Sequence, residues 1–122
     1  MAHTRRLRGL CARPVREKPR LTLAAAHDCR RLTSSRAGVR KLIHVDPSKA
    51  QLAAAEAEPA PPGVERVFMQ VHEEQLSLPP GSVDLVVSCL GLHWLNDLPG
   101  AMVQCRRALR PDGLFLSAFL GG

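Results

Sequence analysis

Two places in this chain put reactive side chains directly after an apolar run. His93 and Trp94 follow the run VDLVVSC at residues 83–89, and Asp46 closes the run KLIHV at residues 41–45. Imidazole can donate or accept a hydrogen bond near neutral pH, and it can take up a proton. An adjacent indole adds a flat apolar wall. A carboxylate at a strand end can accept hydrogen bonds from ribose hydroxyls, or it can cap the helix that follows. Ser88 and Cys89 place a hydroxyl and a thiol at the end of the 83–89 run. His72, Glu73 and Glu74 follow another apolar stretch, residues 65–71. His3, His27 and His44 have no metal-ligand spacing with any carboxylate, so no metal is assigned.

The surrounding segments must position these groups. Residues 83–89 are nearly all apolar and rich in valine, which predicts a strand buried on both faces, as in a parallel sheet covered by helices. Residues 41–46 and 65–71 read as further strands. Residues 47–57 favour a helix, with Pro47 in its first turn and Asp46 or Ser48 as cap. Residues 97–109 predict the clearest helix. Leu98, Ala101, Met102, Cys105, Ala108 and Leu109 recur at three- and four-residue spacing on one stripe. Asn96 or Asp97 can cap that helix, and the arginines at 106, 107 and 110 suit its C-terminal dipole. Pro111-Asp112-Gly113 reads as a tight turn, with Gly113 free to adopt a positive φ. Residues 114–120 then form another buried strand. Strand, helix, turn and strand make a right-handed βαβ unit. Asp84 and Asp112 sit where structural roles are expected.

The punctuation of this unit is specific: VDLVVS at 83–88, LHW at 92–94 and LRPDGLF at 109–115. It resembles the type-11 S-adenosylmethionine-dependent methyltransferases. Within that family, residues 88–122 are similar to the arginine-hydroxylase members that serve assembly of mitochondrial respiratory complex I. The resemblance implies an α/β fold, specifically a partial, incomplete Rossmann-like class I methyltransferase fold with flanking helices on a parallel sheet. It implies S-adenosylmethionine as cofactor, with Asp46 on the ribose and an acid after the third strand near the adenine. The family's acid falls on His72 here, and Glu73 is the substitute. Ser88 and Cys89 would border the cofactor. Leu92, His93 and Trp94 would face the substrate, with His93 as the catalytic candidate. A respiratory complex I subunit or assembly intermediate is the implied partner. The implied location is the mitochondrial matrix, with peripheral association to the inner membrane.

Charge divides the chain. Residues 1–41 hold ten Arg and two Lys against Glu17 and Asp28, whereas residues 42–122 hold nine acids against five bases. An Arg-rich, acid-poor head suits an organelle-targeting or disordered segment. No aromatic side chains interleave its arginines, so it lacks a stacking platform and no nucleic-acid partner is expected. The expected division is therefore a basic segment at 1–37 and a partial methyltransferase-type domain at 38–122. The cysteines at 11, 29, 89 and 105 form no C-x-x-C pair and read as reduced thiols.

One expected feature is absent. Rossmann-like cofactor domains need glycines after the first strand, where a Cβ would block close approach to the ligand. No G-x-G occurs in the chain, and residues 24–29 (AAAHDC) stand where such a loop is expected. Residues 21–37 carry only a weak pattern, open to a short strand or a helix, and the first strand of a Rossmann-like sheet is accordingly expected to be missing. Whether the chain is an active enzyme or a catalytically inactive fragment or interaction module derived from one stays open on the sequence.

Overall fold

A computed structural model describes residues 21–25 and Glu73 as backbone, and the rest of 38–121 with side chains. Five strands form one sheet: β1 (Leu21–Ala25), β2 (Lys41–Val45), β3 (Glu65–Met69), β4 (Val83–Cys89) and β5 (Leu109–Ala118). Their order is β3-β2-β1-β4-β5, and every pairing is parallel. Helices α1 (Lys49–Ala57) and α2 (Leu98–Ala108) are the crossovers after β2 and β4. The α/β parallel architecture expected from the continuous apolar runs is the one observed.

The expected absence of the first strand is overturned. Leu21–Ala25 occupies the centre of the sheet, paired with β2 on one side and β4 on the other. Ladders on both edges place a five-residue strand whose own pattern is weak. The sheet thus draws on residues upstream of 38. The rest of the basic head lies outside the described residues.

The sheet buries one face against α2. Ile43, Val45, Val83 and Val86 cluster there with Leu76 and with Ala108 of α2, and Phe115 and Cys105 pack against them. Leu42 and Val87 form the core of the opposite face, with Leu85 and Cys89. Each fully buried valine or leucine contributes about 1.5–3 kcal/mol by leaving water. Ala101 and Ala108 are the buried positions of α2, whereas Leu98 and Met102, expected on the same stripe, are more than a third exposed. Small side chains let α2 lie close to the sheet, so its larger ones are turned outward.

Two local readings are also corrected. Pro47 lies outside α1. Ser48 is the N-cap, its Oγ accepting from Gln51 N at 3.4 Å. The Pro111-Asp112-Gly113 segment is a bulge inside β5 rather than a free turn, with Val83 facing Leu109 and Leu85 facing Leu114. Asp112, not Gly113, carries the positive φ, +65°. Gly113 is required for space: a Cβ there would lie 2.9 Å from the Arg110 carbonyl oxygen and from Leu109 Cδ2. Asp84 pairs with Arg110 across this bulge, the structural role expected of it.

Arg66 closes α1. Its guanidinium donates to the carbonyls of Ala55 (2.9 Å), Glu56 (3.3 Å) and Glu58 (2.9 Å), which the helix end leaves without partners. It also lies over the Phe68 ring at 5.3 Å. Arg66→Ala should therefore lower the unfolding free energy by about 1–3 kcal/mol, read from chemical denaturation. Arg66→Lys should restore only part of it, because a single compact ammonium lacks the planar spread of two nitrogens that reaches these carbonyls. An unchanged midpoint in Arg66→Ala would remove this role.

His44 stacks on Phe68, with ring centroids 4.8 Å apart and planes 8° from parallel. Burial, and secondarily the Arg66 charge, hold its pKa below the usual 6.5. The unfolded chain therefore binds a proton that the folded chain resists. Stability should fall as the pH drops below about 6.5, until the lowered folded value is passed. Thermal midpoints measured from about pH 8 down to pH 5 should show this decline, and His44→Phe should flatten it. Equal slopes in both proteins would assign the decline to other groups.

Candidate functional site

The parallel registers bring the strand ends into one row. Ala25 lies opposite Val45 and Ser88, Val45 opposite Met69, and Ser88 opposite Ser117. The strand order reverses direction between β1 and β4. At such a switch point diverging loops leave a crevice beyond the carboxyl ends, where ligands of open α/β sheets bind. Residues 26–37, which leave β1 at this point, lie outside the described residues.

Asp46 stands one position beyond that row and is only 7% exposed. Its Oδ1 accepts from Ser48 N at 2.7 Å, and its own N–H donates to the Met69 carbonyl at 3.3 Å. Among the described residues Oδ2 takes no hydrogen bond. Steadying the start of α1 thus uses one carboxylate oxygen and leaves the other unengaged by the described residues.

Ser88 is buried at the end of β4 and lines a small apolar recess with Val45, Leu76, Leu92 and Cys105. Cys89 does not join it. Successive strand residues face opposite ways, and Cys89 packs with Leu42 and Val87 on the other side of the sheet. The thiol lining the recess is instead that of Cys105, whose pKa burial pushes up, which disfavours a reactive thiolate.

Beyond Cys89 the chain turns sharply. Leu90 adopts φ +55° and its N–H donates to the Ala118 carbonyl at 2.7 Å. A left-handed leucine costs about 1–2 kcal/mol, and such residues recur beside functional sites. Leu92–Trp94 then form one turn of 3-10 helix. Leu92 is buried and lines the recess. The His93 ring lies 5.0 Å from that of Trp94, tilted by 41°. Among the described residues His93 Nδ1 is buried and has no hydrogen-bond partner. Trp94 is 77% exposed, so it does not pack beneath the strand ends.

The acidic stretch after β3 is more than a solvated loop. Only the backbone of Glu73 is described, within the 3-10 turn Glu73–Gln75. Its neighbour Glu74 reaches the loop after β4, where Oε1 accepts from Asn96 N and, at 3.0 Å, from Asp97 N. The Glu74 carbonyl also accepts from Gln104 Nε2 of α2. The groups that meet Glu74 are some 20 or 30 positions distant in sequence, so no local pattern reveals the contact. Asp97 caps α2, accepting from Gly100 N at 2.9 Å, as expected.

A profile of the type-11 methyltransferase family, described as a methyltransferase domain, matches residues 25–117, from the end of β1 almost to the end of β5. The chain belongs to this family of S-adenosylmethionine-dependent methyltransferases. It is 54% identical over 56 residues to the mitochondrial arginine-hydroxylase NDUFAF5 of Rattus norvegicus, a match spanning 46% of this chain and 16% of that protein. The human protein of the same name is 48% identical over 56 residues, again 46% and 16%. Among solved structures, an S-adenosylmethionine-dependent methyltransferase from Mesorhizobium loti superposes with a TM-score of 0.64 at 28% identity, covering 79% of this chain and 44% of that one. This chain therefore matches less than a fifth of the length of these curated relatives and under half of that solved structure. The family, the Rossmann-like class I fold and S-adenosylmethionine as the family's cofactor all agree with the sequence reading. The donor set fits that cofactor on two sides: the buried Asp46 carboxylate suits a pair of ribose hydroxyls, and the Ser88 end of β4 borders the same crevice. The glycine-free stretch 26–37 is the departure from the family pattern.

Proposed function

We propose that this chain is an S-adenosylmethionine-binding member of the arginine-modifying branch of its family, acting in mitochondrial complex I assembly. The observation that carries this reading is that Asp46 and the His93–Trp94 loop both follow the carboxyl ends of strands of one parallel sheet, on either side of its switch point. When bound, the cofactor supplies an electrophilic sulfonium centre. Asp46 Oδ2 would accept the ribose hydroxyls, with Ser88 and Cys89 ending the strand that borders the crevice and the Glu73 backbone near the adenine. The His93 imidazole would hold a proton at the substrate side. The exposed Trp94 face suits a guanidinium, which a tryptophan ring attracts by about 0.5–2 kcal/mol. The identity to the mitochondrial arginine-hydroxylases, 54% and 48% over 56 residues, supports the same branch and location.

Calorimetric titration with S-adenosylmethionine tests the first step, and mass spectrometry of an arginine-bearing complex I subunit tests the second. Saturable heat is expected, with a gain of one methyl on arginine, or of one oxygen when dioxygen and a reductant are supplied as co-reactants. No heat at millimolar cofactor would end the enzymatic reading. The glycine-free stretch 26–37 favours a second one, a non-catalytic assembly module derived from the enzyme. Co-purification with a complex I subunit without any cofactor binding would mark that outcome.

A further inference from the structure

We propose that Glu74 is a positioning residue for the loop that carries His93 and Trp94, an assignment that rests on the reading of that loop as the substrate side. The start of the loop is held by β5, through Leu90 N to the Ala118 carbonyl. Within the loop, Trp94 N donates to Gly91 O and Leu95 N to Leu92 O, which closes the turn on itself. Its far end is held from outside by Glu74, through the backbone N–H groups of Asn96 and Asp97. The carboxylate is itself fixed in place. Glu74 N donates to His72 Nδ1 at 3.3 Å, Gln75 N donates to His72 O at 2.8 Å, and Gln104 Nε2 of α2 binds the Glu74 carbonyl. His72, at the family's usual acid position, thus shapes the turn that presents Glu74.

This contact is more than a helix cap. Asp97 already caps α2 with its own side chain. Of the N–H groups that Glu74 takes, Asp97 N belongs to the cap residue and Asn96 N to the loop before it, outside the helix's own free donors. Glu74 therefore ties the segment after β3 to the segment after β4, and Trp94 lies two residues from the tie. The two sides of the crevice are joined at this point by one side chain.

The chain has a single tryptophan, Trp94, so its fluorescence anisotropy reports this loop alone. Glu74→Ala should lower that anisotropy well below the melting temperature and speed amide exchange at Asn96 and Asp97 about tenfold, as for one lost hydrogen bond. Glu74→Gln keeps an acceptor oxygen and should match the wild type, whereas a purely electrostatic role would make it resemble Glu74→Ala. If Glu74→Ala does not fold, Glu74→Asp, one methylene too short to reach, replaces it. Unchanged anisotropy and exchange in a folded Glu74→Ala or Glu74→Asp would overturn the proposal. Both readouts need no ligand. Absence of cofactor binding in the wild type would therefore defeat the functional reading while the tether is judged separately on Trp94.

Discussion

Asp46→Ala should weaken S-adenosylmethionine binding by about 30- to 150-fold. Two hydrogen bonds from ribose hydroxyls to a buried carboxylate together contribute about 2–3 kcal/mol, because charged acceptors bind more strongly than neutral ones. The same change removes the acceptor of Ser48 N, so α1 should lose about 1 kcal/mol as well. Asp46→Asn separates the two effects. An amide oxygen still accepts from Ser48 N, so stability should stay near wild type while affinity falls. Calorimetry on all three proteins, with a thermal melt of each, checks both arms. Wild-type affinity in Asp46→Ala would remove Asp46 from the cofactor site and leave it a structural residue.

Val86→Asp should abolish cooperative folding. Val86 is 1% exposed in the middle of β4, between β1 and β5 and under the apolar cluster of α2. A carboxylate there has no partner, and burying an unpaired charge costs several kcal/mol even after relaxation. Small domains have about 5–15 kcal/mol of stability in total, and this sheet is small. Circular dichroism should show no sigmoidal transition on heating. Val86→Thr, nearly the same shape but carrying a hydroxyl, should melt cooperatively at a lower temperature. A cooperative melt of Val86→Asp near the wild-type midpoint would mean that β4 is not the centre of the core.

How much of this was legible follows from how far each signal reaches along the chain. The run at 83–89 reads as a doubly covered strand because burial on both faces leaves no polar alternation. The 97–109 helix reads from its stripe and its Asp97 cap, which lie within a few residues of each other. The bulge in β5 was misread because Pro-Asp-Gly has turn chemistry. That chemistry places Asp112 in a left-handed conformation, but the ladder to β4 continues around it. The first strand gives only a weak signal, open to strand or helix, because Leu-Thr-Leu-Ala-Ala has little β-pattern of its own. Its place comes from β2 and β4, which lie on either side of it.

The candidate site divides in the same way. The sequence by itself determined the family, the parallel sheet, and the positions of Asp46, Ser88 and His93 at strand ends, because apolar runs and their terminal residues are local features. Three things only the tertiary structure decided. Ser88 and Cys89 face opposite sides of the sheet, since neighbouring strand residues alternate and each side has its own core. Trp94 is exposed while Leu92 is buried, since the left-handed turn at Leu90 sets which residues of the 3-10 turn meet the recess. Glu74 holds the Asn96–Asp97 backbone from more than twenty residues away, a contact created by the packing of two loops and α2. Local pattern specifies which residues end a strand; only packing specifies which of them meet.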